Sequence, residues 1–321
     1  MEHNIVKEVC TYLSRVREET YEQQGLSREY FKKLPESHQG RIAFLDGSNY
    51  ELFGGSGFSV SILRICILVY DGMRRDQNIE GEYYLLIKIE KGVFVVTFFP
   101  LGNTIPLSMK SISLTERTLQ SGEKEVTAQK VAEQARRHME LCYLKSYGSL
   151  LQKGDLLVLD GSIDALAVQE GEALLQAQEQ KEVIICGLSK TNRMLTQEGK
   201  SVQAILEKLS PYATWYYPLP SKHTKLYLIK LHEKSKYVFK IEFFKHGLDS
   251  EEIFSRLRIH AQDPLFLGYP YGLIAADKQV RITKEEAQSL QSKFKLLFSD
   301  SWKEVETHTS SITAHTILDS I

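Results

Sequence analysis

The chain has 321 residues, 42% apolar and 25% charged, which fits a soluble globular protein of one large or two modest domains. Its formal net charge of −1 names no partner, so any binding of nucleic acid has to rest on local basic patches. The four cysteines (Cys10, Cys66, Cys142 and Cys186) are far apart and form no CxxC pair, which disfavours a structural zinc site and reads as buried thiols in a reducing cytoplasm. The N-terminal MEHNIVKEVC lacks a signal-peptide apolar segment. The longest apolar stretch, Phe58 to Tyr70, is broken by Arg64 and is too short for a bilayer. The expectation is a soluble, cytoplasmic protein without membrane association.

Residues 4–24 carry Ile5, Val9, Leu13 and Val16 at helical spacing, so a charged amphipathic arm is expected over 1–37. Such an arm packs on the core or on a partner subunit. Pro35 and the polar SHQGR stretch end it. Strands are predicted at Arg41–Leu45, Phe58–Tyr70, Tyr83–Ile89 and Val93–Phe99, the last two forming a hairpin over Glu90-Lys91-Gly92. Residues 101–126 give no clear pattern. Thr127 caps a long helix reaching Leu150, with an apolar stripe of Val131, Ala135, Met139 and Cys142. The apolar strand Leu156–Leu159 follows. After it come a helix over 164–181, strand Val183–Cys186, a helix over 191–209, and strands near 225–231 and 236–244. Helices are predicted over 249–259 and 284–298, and residues 301–321 read as a polar, loosely held tail. The order of elements is that of an α/β, ribonuclease-H-like mixed sheet flanked by helices, spanning 38–300. In that fold the first strand and the strand after the first long helix are neighbours, and an apolar fourth strand suits the buried centre.

The sharpest local signal is a repeated tripeptide. FLDGSNY and VLDGSID each place Asp-Gly-Ser just after an apolar strand. Glycine permits a sharp turn there, which would hold the aspartate at the sheet rim, where ligands of open sheets bind. If the two strands are adjacent, about 5 Å apart, Asp46 and Asp160 converge. Converging carboxylates repel unless a cation sits between them, and divalent ions with oxygen ligands suit that place. Two such ions can clamp a phosphodiester. A third carboxylate is expected from the long helix, where Glu133 and Glu140 lie seven residues apart on nearly one face. Geometry alone leaves both open, and an ion pair with Arg136 or Arg137 is the plain alternative for Glu140.

Four segments together (RRHMEL, KGDLLVLDGSI, ICGLSKT and PLFLGYPYGLIAADKQ) resemble the NurA nuclease family, over about residues 41–290. The resemblance implies that Asp46, Glu140 and Asp160 hold the metal, usually manganese, with magnesium as the alternative and two ions in all. It implies that Lys190 of GLSK, at the same rim, neutralises a phosphate or orients water. It also implies a supporting role for Tyr269. The family carries a histidine eight residues after that tyrosine; here the position is Asp277, which suits a further metal ligand and removes any histidine-dependent step. Members degrade single- and double-stranded DNA as exonucleases and cut single strands internally. They work as homodimers docked on the hexameric HerA ATPase during resection of double-strand breaks.

Two other readings stand beside this one. A catalytically weakened subunit that docks on and regulates such an ATPase would explain Asp277. A ribonuclease-H-like enzyme acting on RNA is the third possibility, since nothing in the residues reads a 2′-hydroxyl. From Lys222 to Lys245 lysines alternate with aromatics (Lys225, Tyr227, Lys230, Lys236, Tyr237, Phe239, Lys240, Phe243), which suits phosphates and stacked bases. Half-buried strands with one wet face give the same pattern and are the simpler reading. Gly54-Gly55-Ser56-Gly57 lacks the GK[ST] ending of a phosphate loop, so nucleotide binding is rejected.

Overall fold

Alternating and β-branched apolar residues build an eleven-stranded mixed sheet at the centre of the molecule. The computed structural model describes residues 5–8, 26–55, 57–116, 126–163, 168–190, 194–196, 199–222, 224–244, 249–264, 266–298, 302–303 and 305–307. The strands are β1 (Lys32–Lys33), β2 (Arg41–Gly55), β3 (Phe58–Asp71), β4 (Arg74–Glu90), β5 (Val93–Leu101), β6 (Ile112–Ser113), β7 (Leu156–Asp160), β8 (Ile184–Ser189), β9 (Trp215–Leu219), β10 (Thr224–Lys230) and β11 (Phe239–Phe244). The helices are α1 (Ala128–Tyr147), α2 (Val168–Lys181), α3 (Val202–Leu209), α4 (Ser250–His260), α5 (Tyr271–Val280) and α6 (Lys284–Leu297).

Sheet order is β1-β9-β10-β11-β8-β7-β2-β3-β4-β5-β6. β2, β3 and β4 form an antiparallel meander. After α1, β7 returns parallel to β2, with Ala43 opposite Leu157, and β8 lies parallel to β7. This is the expected ribonuclease-H-like order. β11, β10, β9 and β1 extend it as an antiparallel ribbon, joined to β8 through Lys240 opposite Ser189. The predicted hairpin forms: Lys91 and Gly92 take φ of 50° and 78°, the left-handed pair a two-residue turn needs.

Strand parity sorts side chains onto two faces. Ala43, Leu45, Leu157 and Ile185 pack under α1 and α2, with Val131, Ala135, Met139 and Leu174. Ile42, Phe44, Val158 and Cys186 pack on the other face, under α4 and α5, with Phe254, Leu257, Leu273 and Ala276. α1 begins at the expected cap, where Thr127 Oγ1 accepts from the N–H of Lys130 at 3.4 Å. Arg64, the charge inside the apolar run, donates to Glu82 at 2.7 Å and also to Glu286, tying α6 to β3 and β4.

Several sequence expectations need correction. β2 and β4 run well past their predicted bounds, because both go on pairing with the long β3 between them. Of the helix expected over 191–209, the described residues form a helix over Val202–Leu209, with Ser201 as its cap; 191–193 and 197–198 lie outside the described residues. Four elements were not anticipated: the two-residue β1 and β6, β9, whose short WYYPL contains a proline, and α5, whose Tyr271–Val280 follows Pro270 directly. Of the expected N-terminal arm, residues 5–8 are helical and exposed, while 9–25 lie outside the described residues. Within the polar tail, Trp302 packs edge-on against Phe53 at 5.0 Å, and 308–321 lie outside the described residues. Among the described residues no helix is long and apolar enough to cross a membrane.

Candidate metal centre

β2, β7 and β8 run parallel, so their carboxyl ends share one edge of the sheet. Leu45 pairs with Leu159, and the next residues along, Asp46 and Asp160, stand side by side there. Both have the parity of Phe44 and Val158, so their side chains face the α5 side. Asp277 on α5 meets them. One ligand oxygen from each of Asp46, Asp160 and Asp277 lies within 4.8 Å of the others. A cleft of about 290 Å³ opens over them, lined also by Gly47, Ser48, Arg136 and Arg281.

The two Asp-Gly-Ser segments behave differently. At Asp160 the strand ends, and Gly161 turns with φ of 122°. At Asp46 the expected sharp turn is absent, because β2 goes on pairing with β3 as far as Gly55, with a register shift between Glu51 and Phe53. Gly47 serves close approach instead: a Cβ there would lie 2.7 Å from Glu140 Oε1. The backbone N–H of Gly47 donates to Asp46 Oδ1 at 2.8 Å and aims the carboxylate.

Glu140 and Glu133 part company here. Glu140 is partly buried on α1, pairs with Arg136, and lines a cavity of about 240 Å³ that also reaches Asp160 and Ser162. Arg136 donates to the carbonyl of Gly47 at 3.3 Å as well, joining α1 to the rim. Glu140 approaches from the α1 face, opposite Asp277. Glu133 is exposed and lines neither cavity.

The electrostatics are unbalanced. Burial pushes the Asp46 carboxyl up to about 8, and the charges of Asp160 and Glu140 push the same way. Lys190 opposes them: its Nζ lies 2.6 Å from Asp160 Oδ2 and 3.4 Å from Asp277 Oδ1. Burial alone would lower the Lys190 ammonium, but its bond to Asp160 and the neighbouring carboxylates outweigh this and raise it. Asp277 feels burial too, yet Arg281 and Lys190 hold it below the usual carboxylate range. Tyr269 is 2% exposed and donates its hydroxyl to Asp160 Oδ1 at 3.2 Å. Burial first, then Asp160, raises its pKa, so it stays a phenol. A close set of oxygen donors with one buried, partly compensated carboxyl fits a divalent cation.

One further residue escaped sequence reasoning. Glu242 on β11 is 1% exposed and accepts from Ser162 Oγ at 2.5 Å, the N–H of Ile163 at 2.9 Å and Lys240 Nζ at 2.5 Å. It anchors the second Asp-Gly-Ser loop from beneath. The only sequence signal was an acid inside an aromatic strand.

A ribonuclease-H-like sheet with carboxylates converging at the ends of its parallel strands defines the structural class. Within that class the chain is similar to solved NurA structures. It matches the crystal structure of the NurA nuclease from Sulfolobus solfataricus with a TM-score of 0.59, at 14% identity, over 94% of this chain and 96% of that one. It matches a crystal structure of NurA bound to dAMP and manganese with a TM-score of 0.52, at 10% identity, over 89% of this chain and 94% of that one. Near-complete coverage of both chains shows that the NurA fold is shared. No protein-family model and no curated protein sequence matches the chain.

Proposed function

We propose that this protein is a metal-dependent DNA nuclease that hydrolyses phosphodiesters. The observation that carries the proposal is the meeting of Asp46, Asp160 and Asp277 at the parallel-strand edge of a NurA-like fold. In this reading Asp46, Asp160 and Asp277 hold divalent cations, manganese or magnesium, with Glu140 completing the set from the α1 face. When bound, two such ions supply an activated water and stabilise the leaving oxygen. Lys190 offers a fixed positive charge to the phosphate. Tyr269 holds the Asp160 carboxylate in place through its hydroxyl. Asp160 links the two cavities, so a strand crossing the rim passes Asp46 on one side and Glu140 on the other.

The finer reading follows the NurA resemblance. It assigns exonuclease action on single- and double-stranded DNA, endonuclease action on single strands, and work as a homodimer. A HerA-type hexameric ATPase feeds it DNA during resection of double-strand breaks. The alternative, a weakened docking subunit, rests on Asp277 replacing a histidine. Asp277 instead sits among the other carboxylates, which favours an enzyme with an added acidic ligand.

The test is incubation of the folded protein with end-labelled single-stranded DNA, double-stranded DNA and RNA, in manganese, magnesium or EDTA. Metal-dependent cutting of DNA is expected. RNA as the only substrate would move the enzyme to another class. No cutting under any metal, even with a HerA-type ATPase added, would promote the docking subunit.

A further inference from the structure

The lysine and aromatic segment from Lys222 to Lys245 is mostly explained by packing. Phe239, Phe243 and Phe244 are buried, and Tyr227 stacks on Phe243. Tyr237 is not explained: it is 52% exposed, in the loop that leads into β11. Because β11 is antiparallel to β8, that loop lies at the same edge of the sheet as Asp46, Asp160 and Lys190. Across from it stands Phe266, 38% exposed, in the loop that leads into α5.

The two rings are stacked, with centroids 5.0 Å apart and planes at 17°. Phe266 in turn meets Tyr269 edge-on at 5.8 Å, and Tyr269 donates to Asp160. Two ring contacts therefore lead from the exposed Tyr237 to the residue bonded to Asp160. The loop is also held in shape. Ser235 Oγ accepts from the N–H of Tyr237 at 3.1 Å and donates to its carbonyl at 3.3 Å. Gly268, with φ of 90°, lets the other loop close onto it: a Cβ there would lie 2.5 Å from Ser235 Oγ. An exposed aromatic pair held in place by its loops, at the edge that carries the acidic centre, presents a fixed flat apolar surface to a ligand. Lys234 and Lys236 precede Tyr237 and are exposed, and Lys190 lies over the Tyr269 ring at 5.5 Å. Flat apolar faces bordered by ammonium groups match a nucleobase and its phosphates.

We propose that Tyr237 and Phe266 form a stacking platform for an unpaired base next to the phosphate held at the acidic centre. The inference rests on the nuclease reading and deepens it: the enzyme grips single-stranded DNA through bases as well as phosphates. It favours no particular sequence, since every base has a flat face.

The experiment measures binding of the full chain, in EDTA, to a fluorescent oligothymidylate and to an abasic strand of the same length and charge. Wild type is expected to bind the thymidylate about 5- to 150-fold more tightly, the range one base–aromatic stack supplies. Tyr237→Ala with Phe266→Ala should abolish that preference and leave affinity for the abasic strand unchanged. Tyr237→Phe should keep it, because the ring remains. Wild type that cleaves single strands with metal but does not distinguish the two probes overturns the platform alone. Wild type that neither binds nor cleaves overturns it together with the nuclease reading. A double alanine variant that keeps the preference, or loses self-association instead, assigns the pair to other work and overturns it too.

Discussion

Glu242 accepts the Ser162 hydroxyl at 2.5 Å, so a strand from the added ribbon holds the loop that carries Asp160. Glu242 itself is buried, while its partners Ser162 and Lys240 are partly exposed. Removing the carboxylate would leave the buried Ile163 N–H unpaired and take a partner from the partly exposed Lys240 ammonium. Glu242→Ala is therefore expected to cost about 2–3 kcal/mol of stability, and Glu242→Gln about 1–2 kcal/mol, as judged by urea unfolding. Equal stability of Glu242→Ala and wild type would show that the anchor carries no weight.

Asp46 gives the metal-free protein a distinctive pH dependence. Its carboxyl is raised from 3.8 to about 8. The folded state thus binds its proton more tightly than the unfolded chain. That contribution to stability is complete below about pH 4 and is lost as pH rises through about 8. Thermal unfolding in EDTA should show a decline over this window that Asp46→Asn removes. Manganese should restore the wild type at pH 8 and leave the variant unchanged, since a proton and a cation compete for the same oxygens.

His260 acts in the opposite sense. It is fully buried, edge-on to Phe44 at 5.1 Å and Tyr70 at 5.3 Å, and burial lowers it from 6.5 to about 4. A base with a depressed pKa favours the folded state above its ordinary value. That stability is lost as pH falls from 6.5 towards 4, by about 3 kcal/mol at 1.4 kcal/mol per unit. His260→Leu should flatten this acid limb without touching the decline assigned to Asp46. Urea midpoints at pH 7 and pH 4.5 separate the two.

Lys190 is predicted to matter more for cutting than for folding. Its ammonium is 2.6 Å from Asp160 and partly exposed. Lys190→Ala should lower turnover on DNA by roughly 100-fold. It should also tighten manganese binding, because a competing positive charge leaves the cleft. Weaker manganese binding by the variant would mean that Lys190 organises the carboxylates and does not compete with the cation.

Much of this arrangement was legible in the sequence, and the failures have physical causes. Asp46 and Asp160 stood out because each follows an apolar strand, and the order of elements made those strands neighbours. Strand parity then aims both aspartates at the α5 face, a consequence available only once the sheet is known. α5 itself was missed: YGLIAADKQV is short and its polar residues fall late, so no amphipathic stripe announced it. Asp277 was therefore noticed for its distance from Tyr269, with no helix to place it. Glu242 was hidden inside a strand whose lysines and aromatics suggested a wet face, and only the register of β11 against β8 puts it beneath Ser162. Glu133 and Glu140 were inseparable by spacing; the contact of α1 with Gly47 separates them.

Cleavage of end-labelled single-stranded DNA by wild type and Asp160→Asn, each with manganese and with EDTA, tests the central claim most directly. The substitution keeps the size of the side chain and removes its charge, so it opens no cavity. Metal-dependent cutting by wild type that falls at least 100-fold in a folded Asp160→Asn protein is the predicted result. Full cutting by Asp160→Asn, or cutting by wild type that survives EDTA, would contradict the assignment of the acidic centre.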